Sequence, residues 1–444
     1  MNWKKESGIL LLIVLGFLGA YYLPFDKISF EESSVTEAIR AMLDLFQWYA
    51  REHVILCLLP AFLIAGVIAV FISQGAVIKY FGAQAKKWVA YSVAAVSGTI
   101  LAVCSCTILP LFSSIHKRGA GLGPAIAFLY SGPAINILAI ILTAKILGWE
   151  MGLARVIGAV VFAVVIGLIM AFVFRKEENE RAAEQENFPT QPEARPMWQT
   201  AVYFFILVII LVFANWGMPD AETDTGVWYF IWSNKWSITI GFFVLLLIAL
   251  NRVLKVHWWK VVLIGAAVGA AILVSTNPVI PFITGIAGIS IVGLTDHKNP
   301  DNREWIFSSW GFSKQIIPLL AIGVLVAGFL LGSTHDTIQI PGIIPSEWID
   351  KLVGGNSLGS NLFASVLGAF MYFATLTEVP ILQGLMSAGM GKGPALALLL
   401  AGPSLSLPNM LVIRGIIGTR KTLVFVLLVV VMATLSGLLF GFLY

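Results

Sequence analysis

The chain has 444 residues, of which 58% are hydrophobic and only 12% are charged. Soluble domains carry about 25% charged residues, so this chain cannot cover a water-facing surface of its size, and lipid must replace much of the solvent. The net charge of +4 is small and scattered, which excludes a nucleic-acid-binding patch, and long unbroken apolar runs exclude an alternating barrel pattern.

Lys4 and Lys5 precede the first apolar run, Ile9 to Leu23, which reads as a first spanning helix with its Lys residues on the cytoplasmic side. Gly19-Ala20 near its end also fits a signal peptide. The amphiphilic segment Phe25–His53 reads as an interfacial or external helix, with a helix N-terminus near Ser33-Ser34. Apolar runs follow at roughly 54–74, 88–111, 122–147, 152–174, 199–216, 237–254, 259–276, 278–294, 315–332, 361–380, 393–414 and 422–443. A span needs about 20 residues. The expected fold is an all-α polytopic membrane protein with about ten to twelve spans. Trp258–Leu294 reads as two short helices or a span with a re-entrant piece. Trp228, Trp232, Trp236, Trp258 and Trp259 read as interfacial anchors.

The expected organisation is a first membrane half over 1–174, a charged, Pro-punctuated flexible linker over 175–199, central helices over 200–300 and a second half over 301–444. Thr107–Gly148 aligns with Thr377–Gly418 without a gap at an offset of 270, with 13 of 42 positions identical. Most matches are Gly or Pro, and weaker similarity extends the repeats to about 94–148 and 364–418. Pro removes a backbone donor and collides with the carbonyl four residues back. Broken backbone survives within a membrane only where it is buried or lines a cavity, and paired interruptions in two halves point to a transporter binding site. The sequence thus predicts two repeated halves with discontinuous helices. One break lies at Thr107–Pro110 and Thr377–Pro380. The other lies at Gly132-Pro133 and Gly402-Pro403.

The first break holds Cys104 and Cys106, beside Thr107 and Pro110. Two thiols suit a soft ion such as a thiophilic metal or arsenic. On a helix, residues two apart point about 200° away from each other, so shared chelation requires local unwinding; otherwise the pair only packs. The third cysteine, Cys57, reads as a small packing residue, and no disulfide framework is indicated. The matching break has no thiol but carries Glu378, an intramembrane acid that reads as a proton-coupling or substrate-binding group, or else as one member of an ion pair or a residue nearer the interface. Asn136, Ser404, Ser406 and Asn409 flank the second breaks, where they replace hydration or satisfy freed backbone groups. His116, Lys117 and Arg118 read as an interfacial anchor.

No phosphate-binding loop, hydrolytic triad or zinc-protease motif occurs, and no cofactor is implied. The expected partners are a small-molecule or ion substrate and the lipid bilayer. The oligomeric state is left open, a homodimer included.

Val103 to Thr107 with Pro110, the Gly119–Pro124 stretch, Ser131-Gly132-Pro133, Thr377-Glu378-Val379-Pro380 and Ala401-Gly402-Pro403 resemble the ArsP/YraQ-type predicted permeases. The resemblance covers roughly 45–175 and 310–444, with the centre outside it. It implies a permease with a soft-substrate site, and in one branch of the family the efflux of trivalent organoarsenicals with thiols in recognition. The leading expectation is a gradient-driven inner-membrane exporter that binds a trivalent arsenical on Cys104 and Cys106 and couples through Glu378. The alternatives are a carrier of a thiophilic metal or small anion, and a membrane thiol–disulfide oxidoreductase using the Cys pair.

Overall fold

The computed structural model describes residues 3–22, 33–72, 77, 86–101, 105–135, 137–186, 196–217, 226–296, 298–335, 338–343, 352–371, 378–387 and 389–444. They are helical almost throughout. Among the described residues, five helices are long and apolar enough to cross a membrane, or six if one bent pair is counted as a span, and seven further apolar helices of 10–17 residues stand among them. Fewer full-length spans than apolar runs result, because Gly and Pro cut several runs into half-length pieces.

Helix α1 is Trp3–Tyr22. Helix α2 (Ser34–Tyr49) starts on Ser33, whose hydroxyl accepts the Thr36 amide in a capping box. The expected N-terminus is there, but the helix is no separate interfacial element. It runs on through a π-helical stretch, Ala50–Leu58, into α3, Leu59–Phe71. Helices α4 (Lys87–Leu101), α5 (Ser105–Lys117), α6 (Leu122–Ala134), α7 (Ile137–Ile146) and α8 (Trp149–Val173) follow.

The linker begins as a helix, α9, Arg175–Glu186. This corrects the expectation of a flexible loop at that point. Its Glu, Arg, Ala and Gln residues favour a helix, and the first Pro comes only at 189. The central region holds α10 (Met197–Ala214), α11 (Val227–Arg252), α12 (Trp258–Val274) and α13 (Val279–Leu294). Trp258–Leu294 is thus two short helices. Helix α14 (Pro300–Leu331) leads to a small hairpin, β1 (Ser333–His335) against β2 (Ile338–Ile340), a strand pair the sequence reading did not anticipate. The chain ends with α15 (Leu358–Phe370), α16 (Glu378–Ser387), α17 (Lys392–Ala401), α18 (Leu407–Ile417) and α19 (Thr419–Leu443).

Helix α6 packs between α4 and α8, and α17 packs between α15 and α19. Lipid tails are as apolar as Leu, so close backbone approach rather than hydrophobic expulsion must hold such helices together. Gly supplies it. A Cβ on Gly167 of α8 would lie 2.7 Å from the Gly123 carbonyl of α6, and one on Gly437 of α19 would lie 2.6 Å from the Gly393 carbonyl of α17. These two crossings sit at positions 270 apart. The left-handed glycines before α6 and α17, Gly119 (φ 102°) and Gly389 (φ 114°), recur at the same offset.

Helices α8 and α19 also pack on each other. Lys421, in the first turn of α19, pairs with Glu177, just beyond the end of α8, at 2.9 Å. The start of α19 therefore lies beside the end of α8, and the two run antiparallel. Large apolar side chains such as Phe172, Leu273 and Phe442 point outward, as a lipid-facing surface requires.

Candidate functional site

The half-length helices α6 and α17 end against each other. The Tyr130 hydroxyl, in the last turn of α6, donates to the Leu400 carbonyl at 2.8 Å. The two residues are 270 apart, so each stands at the other's matching position. The Ser404 hydroxyl, just past the end of α17, donates back to the Tyr130 carbonyl at 3.3 Å. A helix leaves its last four carbonyls without intrahelical partners, and inside a membrane each needs a donor. The Leu400 carbonyl is one of these, and the Tyr130 hydroxyl is its donor.

Arg155 supplies another. It lies in the second turn of α8, is completely buried, and its Nε donates to the Ala134 carbonyl at the end of α6 at 3.3 Å. One terminal nitrogen donates to the Thr143 hydroxyl of α7 at 2.9 Å, and that hydroxyl donates to the Ala139 carbonyl at 2.6 Å. The other terminal nitrogen donates to Oε1 of Glu378, forming an ion pair whose partners are 0% and 1% exposed. Glu378 is the first residue of α16. Its second oxygen, Oε2, is buried with no hydrogen-bond partner among the described residues. A buried pair of this kind survives only where further hydrogen bonds satisfy the remaining groups. Arg155 has them and Glu378 is one short.

The remaining candidates divide. Cys104, Asn136 and Thr377 lie outside the described residues. Cys106 and Pro380 are placed by backbone alone, as the second residue of α5 and the third of α16. Thr107 and Pro110 are buried within α5, so the break does not fall at Thr107–Pro110 as expected. Helix α5 runs unbroken from Ser105 to Lys117. Pro110 stands inside α5, where it removes one backbone hydrogen bond without ending the helix.

The second breaks fall close to where they were expected. Gly132 and Pro133 close α6, and Gly402 and Pro403 follow α17 directly. Ile108 packs against Gly132, where an added Cβ would meet it at 2.6 Å. Ser406 caps α18 by accepting the Asn409 amide at 3.3 Å, while the buried Asn409 Oδ1 has no partner among the described residues. Among the described residues no three His, Cys, Asp or Glu side chains come together as metal ligands.

His116 is no simple surface anchor. The Arg181 guanidinium of α9 sits 3.0 Å from its ring nitrogens and donates to its carbonyl. Burial first, then Arg181 and Lys421, hold its imidazole down to about 3. Glu178 of the same helix accepts the Leu122 amide at 2.7 Å, which places a carboxylate at the N-terminus of α6. The linker helix thus clamps the ends of α5, α6 and α19.

Sequence reasoning missed Arg155 and Tyr130. Arg155 was legible in one respect: it is the only charged residue in the apolar run from Met151 to Phe174, and an intramembrane charge marks function by default. Tyr130 left no signal beyond lying two residues before a Gly-Pro break.

Broken apolar helices, an ion pair buried between α8 and α16 and an apolar exterior fit a polytopic helical membrane permease, whose partners are a small molecule or ion and the bilayer. The chain belongs to the family described as ArsP_1, Predicted permease, which matches residues 39–442. The match includes the central helices, so region 200–300 is part of the family pattern and not outside it. The chain is similar to UPF0718 protein MJ0584 of Methanocaldococcus jannaschii, 39% identical over 94% of this chain and 99% of that protein. It is also similar to UPF0718 protein YraQ of Escherichia coli, 20% identical over 93% of this chain and 88% of the relative. UPF0718 protein YcgR of Bacillus subtilis matches 26% of this chain and 40% of its own length at 23% identity. No solved structure gives a significant match.

Proposed function

We propose that this permease exports a thiol-reactive small solute, a trivalent arsenical, from the cell across the inner membrane by gradient-driven alternating access. The observation that carries the transport mechanism is the crossing at Tyr130 and Leu400, where two broken helices from matching positions end on each other beside the Arg155–Glu378 pair. The sequence repeat reads as two inverted halves, one containing α4–α8 and the other α15–α19. Supporting this are the paired Gly crossings, the matched left-handed glycines and the antiparallel run of α8 and α19. Inverted repeats with broken helices at the midplane suit rocking of one half against the other around a fixed site.

The soft substrate would be held by Cys104 and Cys106, just upstream of Thr107 and Pro110 in the sequence. Each thiol forms a sulfur–arsenic bond while a hydroxyl leaves arsenic as water, so atoms balance and no redox partner is needed. Thr107, Pro110, Asn136, Thr377, Pro380, Ser404 and Asn409 would line the path, and Glu378 would carry the coupling proton. The buried guanidinium of Arg155 favours a second reading, a small anion as cargo.

Uptake into everted membrane vesicles with a panel of trivalent arsenicals, thiophilic metals and oxyanions tests this. The expected result is accumulation of the arsenical, abolished by Cys104→Ser with Cys106→Ser. Anion uptake that survives the double substitution supports the second reading. Vesicles that ignore every soft substrate overturn the first.

A further inference from the structure

The ion pair has a counterpart made of carbon. Shifting by the repeat offset of 270 takes Arg155 to Phe425, Thr143 to Ile413 and, in reverse, Glu378 to Ile108. Phe425, Ile413 and Ile108 are all buried, at 0%, 0% and 1% exposure. The helices that carry the two sets pack reciprocally, α16 on α7 and α5 on α18. One set of matching positions is therefore ionic and the other wholly apolar.

The two sets also lie toward opposite membrane faces. Arg155 is 19 residues before Phe174, the residue between α8 and α9, which is roughly 28 Å of helix rise. It sits toward the face opposite the linker helix. Phe425, in the second turn of the antiparallel α19, sits toward the linker side.

We infer that Arg155 is an internal counter-ion that competes with a proton for Glu378, so that the pair latches the two halves shut only on the face opposite the linker helix and releases them when Glu378 is protonated. The inference rests on the permease reading above and adds to it a residue, a side and a sequence of events. A carboxylate at position 378 binds Arg155 and closes the face. A proton taken up from that face goes to the carboxylate, whose Oε2 is the buried oxygen with no partner among the described residues. The carboxylic acid that forms is neutral and no longer offsets the guanidinium. Arg155 then keeps the Ala134 carbonyl and the Thr143 hydroxyl, both on the first half, and the tie to α16 is lost. Loss of the proton to the other side restores the tie.

The apolar set cannot respond in this way, so the linker side opens without a proton. The other charged side chains on the elements packed against α16 are Lys145 of α7, Lys392 of α17 and Glu150 of α8. Only Arg155 is bonded to Glu378 among the described residues.

Hydrogen–deuterium exchange on the full-length protein in lipid nanodiscs, without substrate, tests the latch separately from the choice of cargo. Exchange would be compared between about pH 8 and about pH 5, corrected for intrinsic rates, over residues 137–146 and 378–387. In the wild type, protection there should fall about tenfold or more at the lower pH, with α6 and α17 unchanged. Glu378→Gln mimics the protonated acid and should show low protection at both values. A triple variant, Arg155→Phe with Glu378→Ile and Thr143→Ile, copies Phe425, Ile108 and Ile413. It should be well protected and flat with pH. A wild type whose protection does not change with pH overturns the inference, and so does a triple variant that keeps the wild-type response. A failure to transport arsenicals would leave either outcome intact, since no cargo is present.

Discussion

Helices α8 and α19 align in sequence at the offset of 270, and they agree where backbone touches backbone and differ where side chains carry charge. A Cβ added at Gly167 or at Gly437 would meet a glycine carbonyl on the neighbouring half-helix at nearly the same distance, 2.7 and 2.6 Å. Two turns from the other end, α8 has Arg155 and α19 has Phe425. Close packing in lipid depends on shape, which both halves must keep to form the same crossing. A buried charge is costly in lipid and need not be duplicated to hold a fold. In the latch proposed above, the charged set serves transport and the apolar set serves packing.

The sharpest way to break the comparison is to remove one member of the pair. Arg155→Met leaves the Glu378 carboxylate buried and alone, and should destabilise the protein by about 3–5 kcal/mol, read as a shift in unfolding in detergent. The triple variant that copies the apolar set should come within about 1 kcal/mol of wild type, or exceed it. A triple variant as unstable as Arg155→Met would mean that the ion pair is required for folding.

Overfilling the glycine crossings tests the part the halves share. Gly167→Leu and Gly437→Leu should each cost about 1–3 kcal/mol, with similar size in the two halves. A large cost in only one would show that the crossings are not equivalent. Tyr130→Phe removes the donor to the Leu400 carbonyl and should cost about 1 kcal/mol, with a larger effect on transport than on unfolding if the crossing is the pivot.

On the linker side, the folded His116 imidazole stays neutral down to about 3, whereas the unfolded one takes its proton near 6.5. The folded pKa is depressed, so this contribution is fully present above about pH 6.5 and is lost as pH falls toward 3. His116→Phe should flatten the dependence of stability on pH across that window. The smallest effect belongs to the partly exposed pair Lys421–Glu177. Glu177→Gln should cost under about 1 kcal/mol, and the cost should vanish at high salt.

Sequence and structure agree best where the chemistry is local. Ser33 announced its cap through hydroxyl and spacing, and Gly-Pro at 132-133 and 402-403 announced the ends of α6 and α17. Pro110 misled, because a proline reads as a break and α5 nevertheless runs through it. The linker helix was legible from its Glu and Ala content but was read from its charge and prolines instead. Glu378 was found as a lone acid, yet its partner is 223 residues earlier. No local pattern connects two residues that only the packing of α8 on the second half brings together. The same holds for Tyr130 and Leu400, whose bond links matching positions of the repeat.

The most direct test of the central claim, proton-coupled transport through the boundary between the halves, is substrate-driven proton movement in proteoliposomes that carry an internal pH dye. Addition of a trivalent arsenical to the wild type should move protons in the direction opposite to the arsenical, and Glu378→Gln and the triple apolar variant should move none. Proton movement of wild-type size in the triple variant would contradict the account, because it would place the coupling outside Arg155 and Glu378.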